Sequence, residues 1–253
     1  MSWNMRCTIK AIYASLALSA LAASAQAQAP DAAELLARVD DNQAFSSIAY
    51  EARMEIRVGS QLRVKSMRAW AMGADKAFVE FTNPEDAGTR MLKLGKDLWM
   101  YFPSEQDTVR ISGHLLKEGM MGSDFSYEDA LESDELSEAY AASVTGEESV
   151  GGRRAYVVEL KARTQAAKYD RRVLKVDAER FVVLAEDMYA RSGRLLKTME
   201  AVKVERVSGR WYATELVLRD RLRKDSSTTM VMVSLELNPA LDQAMFTRAA
   251  LER

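Results

Sequence analysis

Cysteine and histidine are almost missing from the sequence, which contains one residue of each, Cys7 and His114. Cys7 precedes the first apolar run, so it does not occupy the position of the acylated cysteine of a bacterial lipoprotein. A single histidine excludes a zinc site built from several histidines, and a Ser-His-Asp triad would have to use His114. The G-x-S-x-G and phosphate-loop patterns are also missing. The sequence therefore lacks the usual signatures of zinc enzymes, serine hydrolases and nucleotide-binding proteins.

Long hydrophobic runs are scarce, and the first lies at the amino terminus. Arg6 and Lys10 precede an apolar stretch at 11–23, which leads into the small residues of "ASAQAQA". This order is typical of a secretory signal peptide, which we place at residues 1–27 and expect to be cleaved. No later run approaches the ~20 apolar residues of a membrane-spanning helix. The sequence thus predicts a protein of the Gram-negative periplasm whose mature core, residues 28–253, holds without disulfides.

The charge balance argues against a nucleic-acid partner. The chain has 35 basic and 37 acidic residues, and loss of Arg6 and Lys10 leaves 33 against 37, a net charge of −4. The basic residues are spread along the chain rather than concentrated in one block, whereas nucleic-acid-binding domains usually have a strongly basic face.

The pattern of apolar residues predicts one helix followed by a large antiparallel sheet. Asp31 can cap a helix that carries Leu35, Leu36 and Val39 at helical spacing. From Ile48 onward the period changes to two, and turn signals recur at regular intervals. We count about eleven strands, a central helical insertion and a short terminal helix after residue 239. The fold class is α+β, mainly antiparallel β, and a sheet of this size is expected to curl into an unclosed barrel.

The methionine content suggests what the inside of this barrel could hold. The chain contains 14 methionines, many of them on predicted strands. Methionine is flexible and polarizable, so it suits a wall that accepts variable apolar ligands, although it also fills ordinary cores. Two short helices are little material to fill a barrel of about eleven strands, which favours an apolar cavity. A solid core remains the alternative.

The stretch "GMMGSDFSYEDAL" at 119–131 interrupts the alternating pattern. Ser126 and Asp129 form a capping-box pattern, and Tyr127, Leu131, Leu136 and Tyr140 follow one helical stripe. We interpret the stretch as a flexible apolar loop that leads into a short amphipathic helix and covers the cavity as a lid.

A second interpretation makes the acids of this stretch, Asp124, Glu128 and Asp129, a metal or acid/base site. The stretch lacks the oxygen-ligand spacing and the central glycine of an EF-hand loop. Acidic residues at a helix start are already explained by the positive end of the helix dipole. We therefore predict no metal, no cofactor and no catalytic residue.

Two blocks of the chain resemble a known family. They are "NPEDAGTRMLKLGKDLWMYFPSEQDTVRI" and "MMGSDFSYEDAL", and they resemble the LolA-like outer membrane lipoprotein-sorting proteins, in the branch that accompanies RND-type or MMPL-type transporters. Ala130 departs from the bulkier apolar residue expected after the acids. The residues that carry the resemblance are Pro84, Gly88, Thr89, Trp99, Tyr101, Pro103, Arg110 and 121–129.

The resemblance implies a single half-barrel domain at 28–253 with helices over an apolar cavity and a lid insertion around 114–137. Such a protein would bind the acyl chains of a lipoprotein or lipid and shuttle them between envelope membranes or to and from a transporter. We expect a monomer that carries rather than catalyses. The alternative is a non-carrier accessory subunit of an envelope export system, and a weaker third hypothesis is a hydrolase of envelope lipids or glycans.

The predicted ligand-binding residues belong to the cavity wall and the lid. Trp99 and Tyr101 alternate with Met100, so both faces of this strand are apolar and the sequence leaves open which face meets the ligand. Arg90 and Arg110 are candidate anchors for a headgroup or for the lid. The predicted wall and lid residues are Met54, Ile56, Leu92, Leu94, Trp99, Met100, Tyr101, Met120, Met121, Phe125, Tyr127 and Leu131.

Overall fold

A computed structural model describes residues 30–132, 135–165 and 167–253. The predicted signal peptide and Cys7 lie outside the described residues. Within the described part of the chain, no helix is long and apolar enough to cross a membrane.

Thirteen strands form one sheet, two more than predicted. The additional edge strand, Asp107–Ile111, is short and has only two strongly apolar positions, which explains why its pattern did not stand out. The strands are β1 (Ser47–Val58), β2 (Gln61–Met72), β3 (Lys76–Phe81), β4 (Arg90–Leu94), β5 (Asp97–Phe102), β6 (Asp107–Ile111), β7 (Tyr140–Val150), β8 (Arg153–Ala162), β9 (Arg171–Asp177), β10 (Val183–Tyr189), β11 (Leu195–Val207), β12 (Arg210–Asp220) and β13 (Ser226–Leu237).

The sheet consists of two meanders joined by one non-sequential pair. The strand order is β6-β5-β4-β3-β2-β1-β13-β12-β11-β10-β9-β8-β7, and all neighbours are antiparallel. Only β1 and β13 are neighbours that do not follow one another in the chain. Because β6 and β7 are the two edges, the curved sheet is unclosed, as predicted.

The register connects one face through the whole sheet, because directly opposed residues of an antiparallel pair point to the same side. Ile56 is opposite Thr228, and Thr228 is opposite Leu218. Met199 on β11 and Glu186 on β10 continue the same face, which extends to β9 and β8. We call this side the inner face, since three of the short helices pack on it.

Four α-helices accompany the sheet in the described part of the chain. They are α1 (Ala32–Gln43), α2 (Tyr127–Leu131), α3 (Leu136–Ala139) and α4 (Arg248–Leu251), with 3-10 turns at Gly113–Lys117, Met120–Gly122 and Gln243–Met245.

Helix α1 covers the β7 to β10 half of the inner face. The Asp31 carboxylate accepts from Ala33 N at 2.7 Å, which caps the helix as predicted. Leu35, Leu36 and Val39 are buried in a cluster whose sheet residues are Tyr140, Val158, Leu160, Leu174, Val176 and Val183.

The predicted helical stripe through Tyr127, Leu131, Leu136 and Tyr140 is wrong. Helix α2 ends at Leu131, and Tyr140 begins β7. Tyr127 and Leu131 pack on the β1 to β6 half of the sheet, whereas Leu136 and Tyr140 pack with α1. The insertion therefore contacts two separate apolar clusters rather than one.

Leu36→Ala is expected to lower the free energy of unfolding by about 2–5 kcal/mol, because it leaves a cavity between α1 and the sheet. Urea unfolding followed by circular dichroism measures the loss. The exposed Leu62 supplies the matched control, Leu62→Ala, which should change stability by no more than about 0.5 kcal/mol. Equal losses in the two variants would contradict the packing of α1.

Candidate functional site: a clasped cover on a methionine-rich wall

Residues 113–131 cross the β1 to β6 half of the inner face, and we call them the cover segment. Beneath the segment lies an apolar wall that includes the buried residues Met54, Ile56, Met67, Met91, Leu98 and Met100. From the segment itself, Met120 is buried against this wall, and Leu115, Leu116, Met121, Phe125, Tyr127 and Leu131 are partly buried. The cover segment thus fills the space that the sequence predicted as a cavity.

Two clefts on the described surface lie away from the cover segment. The larger has a volume of about 420 Å³ and includes Tyr50, Arg68 and Trp70 in its lining. The smaller, of about 180 Å³, lies between Glu51, Arg68 and Val233. No residue of the cover segment lines either cleft, so neither is the predicted lid-covered site.

The turn at the start of the quoted motif depends on Gly119. A Cβ atom at this position would lie 2.1 Å from the Ser123 carbonyl oxygen, which no side chain can tolerate. Met120 N donates to Phe125 O at 2.7 Å, and Met121 has a positive φ of 52°. The motif is therefore a tight, internally hydrogen-bonded loop rather than the flexible loop that we predicted.

Helix α2 begins with the predicted capping box. Ser126 Oγ accepts from Asp129 N at 3.3 Å, and Asp129 Oδ2 accepts from Ser126 N at 2.6 Å. The cap places the Asp129 carboxylate at the start of the helix, on the side that faces the sheet.

Asp124 fixes the cover segment to β12 and β13. Its Oδ2 accepts from Ser226 Oγ at 3.0 Å and from Thr228 Oγ1 at 2.7 Å. Its Oδ1 accepts from Asp220 N at 3.1 Å, and its own backbone N donates to Thr228 Oγ1. Because Asp124 is buried, these bonds replace the water that a carboxylate otherwise requires.

Asp129 joins the cover segment to Lys197 on β11 and to Lys168 in the loop between β8 and β9. Lys197 Nζ, on β11, donates to Asp129 Oδ2 at 2.6 Å and to the Asp124 carbonyl at 2.7 Å. Lys168 Nζ pairs with Asp129 Oδ1, to which Tyr169 Oη also donates at 2.8 Å. We call the contacts of Asp124 and Asp129 with these residues the clasp.

The clasp holds the Asp129 carboxyl ionised. Burial by itself raises its pKa, but Lys168 and Lys197 outweigh burial and bring the pKa well below its ordinary range. Burial lowers the pKa of Lys168 and raises that of Tyr169, which the negative Asp129 raises further.

Further basic residues hold the middle and the carboxyl-terminal end of the segment. Arg223 donates to the carbonyls of Ser123 and Gly122 at 2.6 and 3.1 Å. Lys93 donates to the Leu131 carbonyl at 3.2 Å. Just beyond the segment, Arg172 donates to Glu132 at 2.7 Å and pairs with Glu186.

The structure divides the predicted wall and lid residues between the two faces of the sheet. One group lies in the cluster under and within the cover segment: Met54, Ile56, Met100, Met120, Met121, Phe125, Tyr127 and Leu131. The second group lies on the opposite face, against the carboxyl-terminal residues Phe246 and Leu251: Leu92, Leu94, Trp99 and Tyr101.

The two candidate arginines also lie on the opposite face. Arg90 is opposite Glu80 and Tyr101 in the sheet, and it donates to the Leu251 carbonyl at 3.3 Å. Arg110 is opposite Trp99 and pairs with Asp97. The cover segment is instead held by Lys93, Lys168, Lys197 and Arg223, which the sequence analysis did not select. The signal that could have identified Lys197 is a lysine at an inward position of β11, two residues before Met199.

The clasp carboxylates act as structural acceptors. Both oxygens of Asp124 and both oxygens of Asp129 accept hydrogen bonds from the protein itself. Among the described residues, no group of three or more His, Cys, Asp or Glu side chains is placed to hold a metal ion.

Solved structures share this architecture over most of both chains. A DUF1329 family protein from Desulfovibrio piger has a TM-score of 0.80 and 26% identity, and the match covers 87% of this chain and 97% of that one. A domain classed with the outer membrane lipoprotein-sorting proteins, from Vibrio parahaemolyticus, has a TM-score of 0.76 and 23% identity over 88% and 98% of the two chains. A LolA superfamily protein from Nitrosomonas europaea has a TM-score of 0.72 and 21% identity over 88% and 100%.

Residues 73–253, well over half of the chain, match a family model with the description "-like: Uncharacterized protein". The chain belongs to the family of this model. Its structural neighbours are DUF1329, lipoprotein-sorting and LolA superfamily proteins, which confirms the LolA-like resemblance inferred from the two sequence blocks. No curated protein matches the chain. In this chain the motif at 119–131 forms the clasp and the tight turn of the cover segment.

Asp124→Asn is expected to loosen the cover segment, because an amide places hydrogens against hydroxyl groups that now donate to a carboxylate. The loss of about 1–3 kcal/mol of local stability corresponds to amide exchange roughly 5- to 150-fold faster in 119–131. Hydrogen–deuterium exchange with mass spectrometry measures this change. The control is Glu128→Gln, which removes a carboxylate that has no hydrogen bond among the described residues. Unchanged exchange in Asp124→Asn would contradict the anchoring role.

The clasp also predicts a pH dependence. The pKa of Asp129 in the folded protein lies below its unfolded value of about 3.9. The stability that the ionised carboxylate contributes is therefore complete at neutral pH and is lost as the pH falls below about 4. Asp129→Asn should therefore be less stable than the wild type by about 3–5 kcal/mol at pH 7. This difference in the free energy of unfolding should become smaller as the pH falls. Urea unfolding of both proteins from pH 7 to pH 3 measures the gap, and a constant gap would contradict the ionised clasp.

Proposed function

We propose that this protein is a periplasmic carrier that binds the acyl chains of a lipoprotein or lipid between the inner-face wall and the cover segment. The observation that carries the proposal is the contrast between the two kinds of contact beneath the segment. The wall is apolar and rich in methionine, whereas the segment is fixed at defined points by polar and ionic bonds. A segment of this kind can leave the wall and return to the same register.

Eight methionines of the described residues belong to this one cluster: Met54, Met67, Met91, Met100, Met120, Met121, Met230 and Met232. This is more than half of the 14 in the sequence, so methionine is concentrated where the ligand is proposed to bind. Its three rotatable bonds let a wall repack around chains of different length and branching.

Energetics favour an exchange between the cover segment and the ligand. Each buried methylene of an acyl chain contributes about 0.8 kcal/mol, so a chain of ordinary length can replace the apolar contacts of Met120 and Phe125. The difficulty for a carrier is release rather than affinity. The clasp favours release, because its hydrogen bonds and ion pairs re-form when the cover segment returns to the wall in place of the acyl chain.

The proposed ligand-binding residues are those that the structure brings together at the cover segment. We propose Met54, Ile56 and Met100 for the wall and the segment residues of the same cluster for the lid. On this proposal Trp99, Tyr101, Arg90 and Arg110 have a structural role on the opposite face, where they contact or face the carboxyl-terminal residues.

The wider context is also part of the proposal. The predicted signal peptide supports a periplasmic location for the mature domain, and the lipoprotein-sorting relative from Vibrio parahaemolyticus supports a role in lipoprotein or lipid traffic. An inner-membrane transporter of the RND or MMPL type is the proposed partner for loading or unloading. The domain is proposed to act by binding, without bond cleavage.

One observation favours a second candidate, a non-carrier accessory subunit. The cover segment fills the inner face in this structure, as it would in a protein whose barrel is permanently solid. The two candidates differ in whether the segment ever leaves the wall.

The first experiment asks whether the protein contains lipid. Protein purified gently from its native host is extracted with organic solvent, and the extract is analysed by mass spectrometry. Acyl chains at a stoichiometry near one per protein are expected. Protein that is empty, and that also takes up no fluorescent fatty acid, would contradict the carrier.

A reversible lock tests whether the cover segment must move. The Asp124 and Thr228 side chains are in direct contact, at 2.7 Å, and the only natural cysteine lies in the predicted signal peptide. The double variant Asp124→Cys/Thr228→Cys is expected to lose fatty-acid uptake when oxidised and to regain it when reduced. Each single variant serves as a control. Uptake that is equal in both redox states of the cross-linked protein would contradict opening at this segment.

Arg223→Gln tests the same movement of the cover segment by making it easier rather than blocking it. It removes two hydrogen bonds to the segment from a side chain outside the wall, so uptake is expected to be faster. Stopped-flow fluorescence measures the rate. A slower rate would show that Arg223 promotes opening rather than closure.

A further inference from the structure

Three hairpin turns meet at one end of the sheet, beside the clasp. They join β1 to β2, β10 to β11 and β12 to β13. Gly59 N donates to Asp225 O at 2.8 Å, which connects the first turn to the third. Arg221 N donates to Leu196 O at 2.8 Å, which connects the third turn to the second. The side chains of these turns therefore form one continuous surface.

Apolar side chains are concentrated at this end. Among the described residues, five large hydrophobic side chains are exposed, and three of them lie here: Leu62 at 49%, Val64 at 40% and Leu222 at 51%. Leu62 is the second residue of β2, and Leu222 lies in the turn before β13, so the two leucines flank neighbouring turns. Neither side chain belongs to the apolar clusters of the protein.

The same surface is strongly basic. Arg57, Arg63, Arg221 and Lys224 are exposed beside the first and third turns, and Asp225 is the one exposed acid within 221–225. In the part of the chain that the structure describes, Arg57, Arg221 and Lys224 take part in no ion pair. This local excess is opposite in sign to the net charge of the whole chain, −2. We call Arg57, Leu62, Arg63, Arg221, Leu222 and Lys224 the basic rim.

We propose that the basic rim docks on the surface of a membrane that contains anionic phospholipids. Exposed leucines surrounded by arginine and lysine are the combination that inserts between lipid headgroups and is held there by their phosphates. A protein partner is less well matched, because the centres of protein interfaces are depleted of charged residues. The attachment is weak and reversible, since two leucines bury little apolar area.

The rim adjoins the cover segment through Arg223. Its neighbours Leu222 and Lys224 are exposed, whereas Arg223 is partly buried and donates to the Ser123 and Gly122 carbonyls. Docking therefore brings the turn at Gly122 and Ser123 of the cover segment close to the membrane. The docking proposal rests on the rim residues themselves and does not require that the protein carry lipid.

Vesicle co-sedimentation of the mature protein tests the proposal. The probes are vesicles of phosphatidylcholine alone and vesicles that also contain phosphatidylglycerol. We expect binding to the anionic vesicles only, with loss of binding at high salt because the charges are screened. Equal binding to both kinds of vesicle, or none to either, would overturn the proposal, and the second result would assign the rim to a protein partner.

Two double variants separate the apolar and the charged parts of the rim. Leu62→Ser/Leu222→Ser and Arg221→Gln/Lys224→Gln should each reduce partitioning onto anionic vesicles by about tenfold or more. The matched controls are Val202→Ser and Lys203→Gln, which change exposed residues farther along β11. The controls should remain within about twofold of the wild type. Equal losses in controls and rim variants would refute the assignment of the surface.

Lipid extraction from the same variants distinguishes this proposal from the carrier proposal. Rim variants that still contain acyl chains but fail to bind vesicles support docking as a separate property. Variants that bind vesicles like the wild type would contradict docking, whatever their lipid content.

Discussion

Asp124 and Asp129 lie five residues apart in the chain, yet between them they bind β11, β12, β13 and the loop before β9. The β1 to β6 and β7 to β13 meanders share only the β1–β13 pairing along the sheet. The clasp adds a second connection across the inner face. It also fixes the cover segment to the sheet, while the close approach at Gly119 and the capping box shape the turn between Met120 and Asp129.

Apolar and polar contacts have different parts in this arrangement. The contacts of Met120, Phe125 and Leu131 with the wall are non-directional, so another apolar body of similar volume can replace them. The contacts of Asp129 with Lys168 and Lys197 are directional and have no equivalent in an acyl chain. Buried ion pairs contribute little net stability compared with apolar packing, and their best-attested role is to select one register. The cover segment therefore has an apolar side whose contacts another apolar group can replace, and a polar edge whose contacts fix its position.

The position of the clasp relates it to the basic rim. Residues 220–228 provide acceptor or donor groups to Asp124 on one side and expose Leu222 and Lys224 on the other. One hairpin therefore has an inward side, which contacts the cover segment, and an outward side of apolar and basic groups. If the rim meets a membrane, the cover segment opens close to the lipid rather than into the bulk solvent, where an exposed acyl chain would be costly.

The sequence by itself determined the elements and the family. Asp31 and its helical spacing specified α1, alternation specified most of the strands, and Ser126 with Asp129 specified the start of α2, because each of these signals is local. The tertiary structure decided the rest. Local periodicity shows that Trp99 and Met100 point to opposite faces, but only the sheet register shows that Met100 meets the cover segment and Trp99 the carboxyl-terminal residues. Likewise, the alternation of β11 shows only that Lys197 points inward, and its contact with Asp129 across 68 residues of chain depends on the strand order.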